Sequence, residues 1–136
     1  MASALAFARA GALAYHARPM PYMLLIHEPV GQRQARSRAE GVAVYERMLS
    51  FAADLQASGV LRAVESLSSQ DDAARIKVSN GRAHVLDGPF AEAKEMVGGF
   101  FLLDCATRDE AVAIASRCPA AEWATVEVRA VGPCYT

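Results

Sequence analysis

Apolar residues follow two rhythms along this chain, and the places where one yields to the other mark out its elements. Met20 to His27 is an almost unbroken apolar run, which predicts a short strand covered on both faces, with Pro29 and Gly31 ending it. From Ala39 to Ser58 the spacing turns helical. Val44, Met48, Phe51 and Leu55 recur on one side, and Glu46, Arg47, Ser50 and Asp54 fall on the other. Gly59 suits the position just past that helix, and the Met and aromatic stripe reads as core rather than as a cofactor surface.

Val60 to Leu67 predicts a second strand, followed by a polar turn at Ser68 to Asp72. Arg75 to Val78 and Ala83 to Leu86 flank Asn80-Gly81, a strong hairpin signal. A two-residue turn there sets Ile76 across from Val85 and Val78 across from Ala83, with Lys77 and His84 sharing the other face. Val97 to Asp104 predicts a central strand. Thr107 to Glu110 reads as a capping box opening a helix with an apolar stripe of Ala111, Ile114, Ala115 and Cys118, which Pro119 stops. Val126 to Arg129 alternates like a strand with one wet face.

The order is β-α-β, an inserted β-hairpin, then β-α-β: an α+β chain on the ferredoxin-like split βαβ plan. Its two continuously apolar runs fall where that plan puts its central strands. Two helices cover one face of such a sheet, yet Met23 to Ile26 and Phe100 to Leu103 are apolar on both sides. Monomers rarely leave so large an apolar patch open. A homodimer, packed face to face, is therefore expected.

Charge narrows the function classes. Fourteen basic and 15 acidic side chains leave a formal net charge of -1, which disfavours nucleic-acid binding through a basic face. Arg33, Arg36 and Arg38 do cluster, but beside Gln32, Gln34 and Ser37 they read as a solvated loop before a helix. Cys105, Cys118 and Cys134 form no CxxC pair. That argues against a disulfide framework or zinc site and fits a reducing cytoplasm; Cys105 and Cys118 read as small buried hydrophobes. No apolar run reaches membrane-spanning length. Residues 1–19 are Ala-rich with Arg9 and Arg18 and no acid, and are expected to be a loosely packed extension before a folding unit at 20–136. His16 belongs to that extension.

One segment stands apart. Asp87-Gly88-Pro89-Phe90 is turn chemistry, with glycine tolerating positive φ and the proline ring fixing its own φ, and Glu92, Lys94 and Glu95 follow. Gly98-Gly99 then remove side chains where the backbone enters the sheet, permitting a bulge or close backbone approach. Together with Tyr22-Met23-Leu24-Leu25-Ile26-His27-Glu28-Pro29 and Cys118-Pro119-Ala120-Ala121…Thr125-Val126-Glu127-Val128-Arg129, this segment resembles the DGPF-motif branch of the YCII-related proteins, from Met20 to about Val131. The resemblance implies a dimeric α+β barrel built from two ferredoxin-like sheets, without an assigned reaction. It also implies a link to extracytoplasmic-function sigma factors, with which the branch is often associated. Glu92, Lys94 and Glu95 resemble the motif's acids and lysine. The better-studied branch has a His near the middle of the first helix, working with an Asp. Here Met48 stands at about that place, so this dyad does not transfer. Ala130 also stands where the family commonly continues with Pro.

Candidate chemistry follows from these residues. Asp87 is either a general acid or base at a pocket mouth or the lock of its own turn. Lys94 offers a point charge to an anionic substrate, with Glu92 or Glu95 tuning it, against the alternative of an ordinary surface pair. His27 can exchange protons near neutral pH. By strand alternation it shares a face with Met23 and Leu25, while Glu28 joins Leu24 and Ile26 on the other. Glu127 and Arg129 share a face and either bind a polar ligand group or form an ion pair at the dimer seam. Two readings result. One is a homodimeric small-molecule-binding or regulatory protein, with Glu28, Phe90, Glu92, Lys94, Glu95 and Arg129 as ligand contacts. The other is a lyase- or isomerase-like acid–base enzyme using Asp87 with Lys94 or His27. No Gly-rich phosphate loop, HExxH or GxSxG motif appears, and three scattered histidines give little ground for a metal; no cofactor is expected.

Overall fold

The computed structural model describes residues 21–135, and the expected extension at 1–19 lies outside them, as does Thr136. The described chain opens with β1 (Tyr22–Pro29), a one-turn helix α1 (Gln32–Ala35) and the long helix α2 (Arg38–Ala57). Next come β2 (Leu61–Ser66), a 3-10 turn at Gln70–Asp72, and β3 (Ala74–Ser79) with β4 (Arg82–Asp87). Then follow β5 (Glu95–Leu103), α3 (Arg108–Arg117), a 3-10 turn at Pro119–Glu122, and β6 (Thr125–Ala130). Among the described residues no helix is long and apolar enough to cross a membrane.

This is an α+β fold. One four-stranded sheet runs in the order β2-β5-β1-β6 with every neighbouring pair antiparallel, so the two continuous apolar runs become the central strands. The sheet is open and does not close into a barrel within the chain. β3 and β4 form a separate two-stranded sheet whose register sets Ile76 opposite Val85, Lys77 opposite His84 and Val78 opposite Ala83. Asn80 and Gly81 both take positive φ, 52° and 73°, as the tight turn requires.

Strand alternation sorts the sheet into two faces. Leu24, Ile26, Phe101 and Leu103 are buried beneath α2 and α3, where they meet Phe51, Leu55, Ala111, Ile114 and Ala115. The Phe51 and Phe101 rings pack edge-on at 5.3 Å. Met23, Leu25, Phe100 and Leu102 are only half-buried on the opposite face. That face is apolar along its middle alone: by register its outer positions are Ala63 and Glu65 on one side and Glu127 and Arg129 on the other.

Capping chemistry sets the helix starts. Ser37 Oγ accepts from the Glu40 amide at 3.1 Å while the Glu40 carboxylate accepts from the Ser37 amide, a box the Ser-x-x-Glu spacing encodes. Thr107 caps α3 as predicted, but Glu110 reaches one residue further back, to the Ala106 amide at 3.0 Å.

Two local expectations need correction. Arg33 does not sit in a solvated loop: it lies on α1 and turns back towards β1. Gly88 does not take positive φ. Its lack of a side chain serves a close approach, because a Cβ there would collide with the Gln70 carbonyl.

Candidate functional site

Between α2 and the covered side of the sheet lies a cavity of about 720 Å³, within the range of small-molecule sites. Val44, Met48, Leu49 and Ala52 of α2 form one wall, and Ile26, Val64 and Phe101 the other. Trp123 and Arg36 stand along it, and Glu28 with Arg33 supplies its main polar feature. Met48 is thus an apolar part of the cavity wall.

Glu28 is buried because β1 alternation points it to the same side as Leu24 and Ile26. A carboxylate there needs charge-assisted partners. Arg33 supplies them: its Nε lies 3.0 Å from Oε2 and 3.2 Å from Oε1, and its Nη2 also donates to Oε1. The one-turn helix after Gly31 brings the guanidinium back over the strand end. Gly98 completes the arrangement, since a Cβ at that position would fall on the Glu28 carboxylate and within 3.1 Å of Arg33 Nη2. β5 also bulges here, the register stepping from Ile26–Gly99 to His27–Val97. Sequence reasoning placed Glu28 on the correct side but missed Arg33. The five-residue spacing across a turn was the available signal.

The open face holds a second constellation. His27 Nε2 lies 2.6 Å from Glu127 Oε1, and Arg129 Nε lies 3.4 Å from Glu127 Oε2. A shallower hollow of about 480 Å³ beside it is lined by His27, Gln70, Asp72, Arg75, Phe90 and Glu95 among others. Phe90 is buried there under the Arg75 guanidinium, 3.9 Å from its ring centroid.

The predicted residues are therefore divided between places. Glu28 lines the helix-side cavity, whereas His27, Phe90 and Glu95 line the hollow on the other face. Asp87 is exposed at the end of β4 and lines neither; Glu92 and Lys94 are exposed in the loop that follows. Among the described residues Arg129 reaches the site through its ion pair with Glu127. Asp87, Lys94 and His27 are not gathered around one cavity.

Burial pushes the Cys105 thiol above its ordinary value, with Glu110 and Asp104 adding to the shift. Burial does the same to Cys118, against a smaller opposing pull from the Ala120 and Ala121 amides. Both thiols stay protonated at neutral pH and are poor nucleophiles. Among the described residues no three His, Cys, Asp or Glu side chains converge as a metal centre.

Fold and cavity together define a small α+β protein with a helix-covered pocket and no assembled metal or thiol chemistry among the described residues. The chain belongs to the YCII-related domain family, whose profile matches residues 20–134. It is also 36% identical over 93 residues to an uncharacterized protein of Rhizobium meliloti (strain 1021), a match covering 68% of this chain and 75% of that one.

Proposed function

We propose that this YCII-related chain is a homodimeric small-molecule-binding or regulatory protein of the DGPF branch, two ferredoxin-like sheets forming a dimeric α+β barrel. The observation that carries the binding reading is the cavity of about 720 Å³ with apolar walls and one internally neutralised ion pair. Such a pocket has area for a small molecule and polar atoms to orient it. Protonated, buried thiols suit a cytoplasmic setting, and a regulatory role beside an extracytoplasmic-function sigma factor would need no catalytic residue.

An acid–base reading keeps one specific support. His27 is oriented by the Glu127 carboxylate, the arrangement a general base needs. Its partner in such chemistry would be Glu127 rather than Asp87, which is exposed and lines neither hollow.

The binding reading is tested by native mass spectrometry and thermal-shift screening of wild type beside Ala52→Phe, a substitution that fills the cavity. Wild type is expected to carry or acquire a small molecule that raises its Tm, and Ala52→Phe to lose both effects. Ligand effects equal in the two proteins, or none in either, would overturn it.

A further inference from the structure

Among the described residues the helix-side cavity has one charge left over. Glu28 is neutralised by Arg33 inside it, and Arg47, whose guanidinium also lies 5.5 Å from the Trp123 ring centroid, pairs with Glu122. Arg36 is different. It lines the cavity, its guanidinium lies 5.5 Å from the centroid of the Trp123 ring, and it has no carboxylate partner among the described residues. The leading residues 1–20 contain no Asp or Glu that could supply one. Glu65 also borders the cavity, but its register with Phe100 puts its side chain on the opposite face of the sheet. A half-buried arginine stacked on an aromatic ring and facing apolar walls presents free N–H donors where charge-assisted bonds are strong.

We propose that this cavity takes an amphipathic monoanion: an aromatic or aliphatic body against Val44, Met48, Ala52 and Phe101, with a single carboxylate or sulfonate held by Arg36. One uncompensated cation favours one negative charge over a polyanion, and the greasy walls favour a body with few polar atoms. This rests on the small-molecule reading above and adds the chemical class of the ligand.

A matched pair of probes tests it. 8-Anilinonaphthalene-1-sulfonate and N-phenyl-1-naphthylamine share their rings and differ in the sulfonate, and Trp123, the chain's single tryptophan, reports on both by energy transfer. The sulfonate is expected to bind at least about tenfold more tightly, one charge-assisted contact's worth. Arg36→Gln should abolish that preference while leaving affinity for the neutral probe within about twofold, and Arg36→Lys should keep most of it. Equal affinity for the two probes, or a preference that survives Arg36→Gln, would overturn the anion assignment and leave the cavity reading standing. If neither probe binds, or binding is indifferent to Ala52→Phe, both readings fall.

Discussion

Glu28 shows how one residue's cost shapes its neighbours. A buried carboxylate is tolerable only while its hydrogen-bond acceptors are filled, so removing its partner should cost more than removing its charge. Arg33→Met is expected to destabilise the protein by about 2–3 kcal/mol, below the usual figure for buried pairs because Arg33 is one-third exposed. Glu28→Gln, which keeps one acceptor and the shape, should cost about 1 kcal/mol. Gly98→Ala drives a methyl into the same carboxylate and should resemble Arg33→Met. Combined with Glu28→Ala, its penalty should shrink, because the obstructed group is gone. Urea unfolding of the single and double variants checks this. Additive penalties would mean that Gly98 is needed for some reason other than room for Glu28. Little of this was legible beforehand. The glycine pair announced a close backbone approach, and at Gly99 the Glu65 carbonyl makes one; at Gly98 what approaches is a side chain from another strand, and no local spacing encodes that.

At the scale of elements, legibility followed the range of the forces. The β3–β4 register was readable because Asn80-Gly81 and the two-residue side-chain period are both local. The α2 stripe was readable for the same reason, with Phe51 and Leu55 buried and Met48 beside them. α1 was not, being four residues long, three of them polar, with no stripe to betray it. The Asp87-Gly88-Pro89-Phe90 turn anchors the hairpin: the Gly88 amide donates to the Ala73 carbonyl at 2.7 Å and Phe90 tucks under Arg75. Beyond that anchor the hairpin is bare, with Ile76, Val78, Val85 and Leu86 all at least 60% exposed. A lone hairpin is marginal in water. Gly81→Ala, strained at φ +73°, should therefore loosen β3 and β4 by about 1 kcal/mol while β1 and β5 hold their amide protection. Hydrogen exchange followed by mass spectrometry reads this directly. A uniform rise in exchange across all strands would instead tie the hairpin to the cooperative core.

The whole molecule poses a problem of cover. α2 and α3 bury one face of the sheet, and the middle of the other offers Met23, Leu25, Phe100 and Leu102 between columns that end in Glu65 and in Glu127 with Arg129. An apolar centre inside a charged margin is the general anatomy of an interface between subunits. A second copy laid face to face would dehydrate that centre and leave the His27–Glu127–Arg129 cluster along the seam. Wild type is therefore expected to sediment as a dimer, and Leu102→Asp, a charge set among Met23 and Ala63, to sediment as a monomer with its helix content intact. Sedimentation velocity over a wide concentration range decides it: wild type that stays monomeric at the highest concentration removes the dimer. The cavity lies on the other side of the same sheet. Monomeric Leu102→Asp should accordingly still bind N-phenyl-1-naphthylamine with near wild-type affinity, because none of the walls named for that pocket, from Val44 to Phe101, lies on the face the twin would cover. Loss of both properties in one variant would show that the pocket takes its shape from the assembled pair.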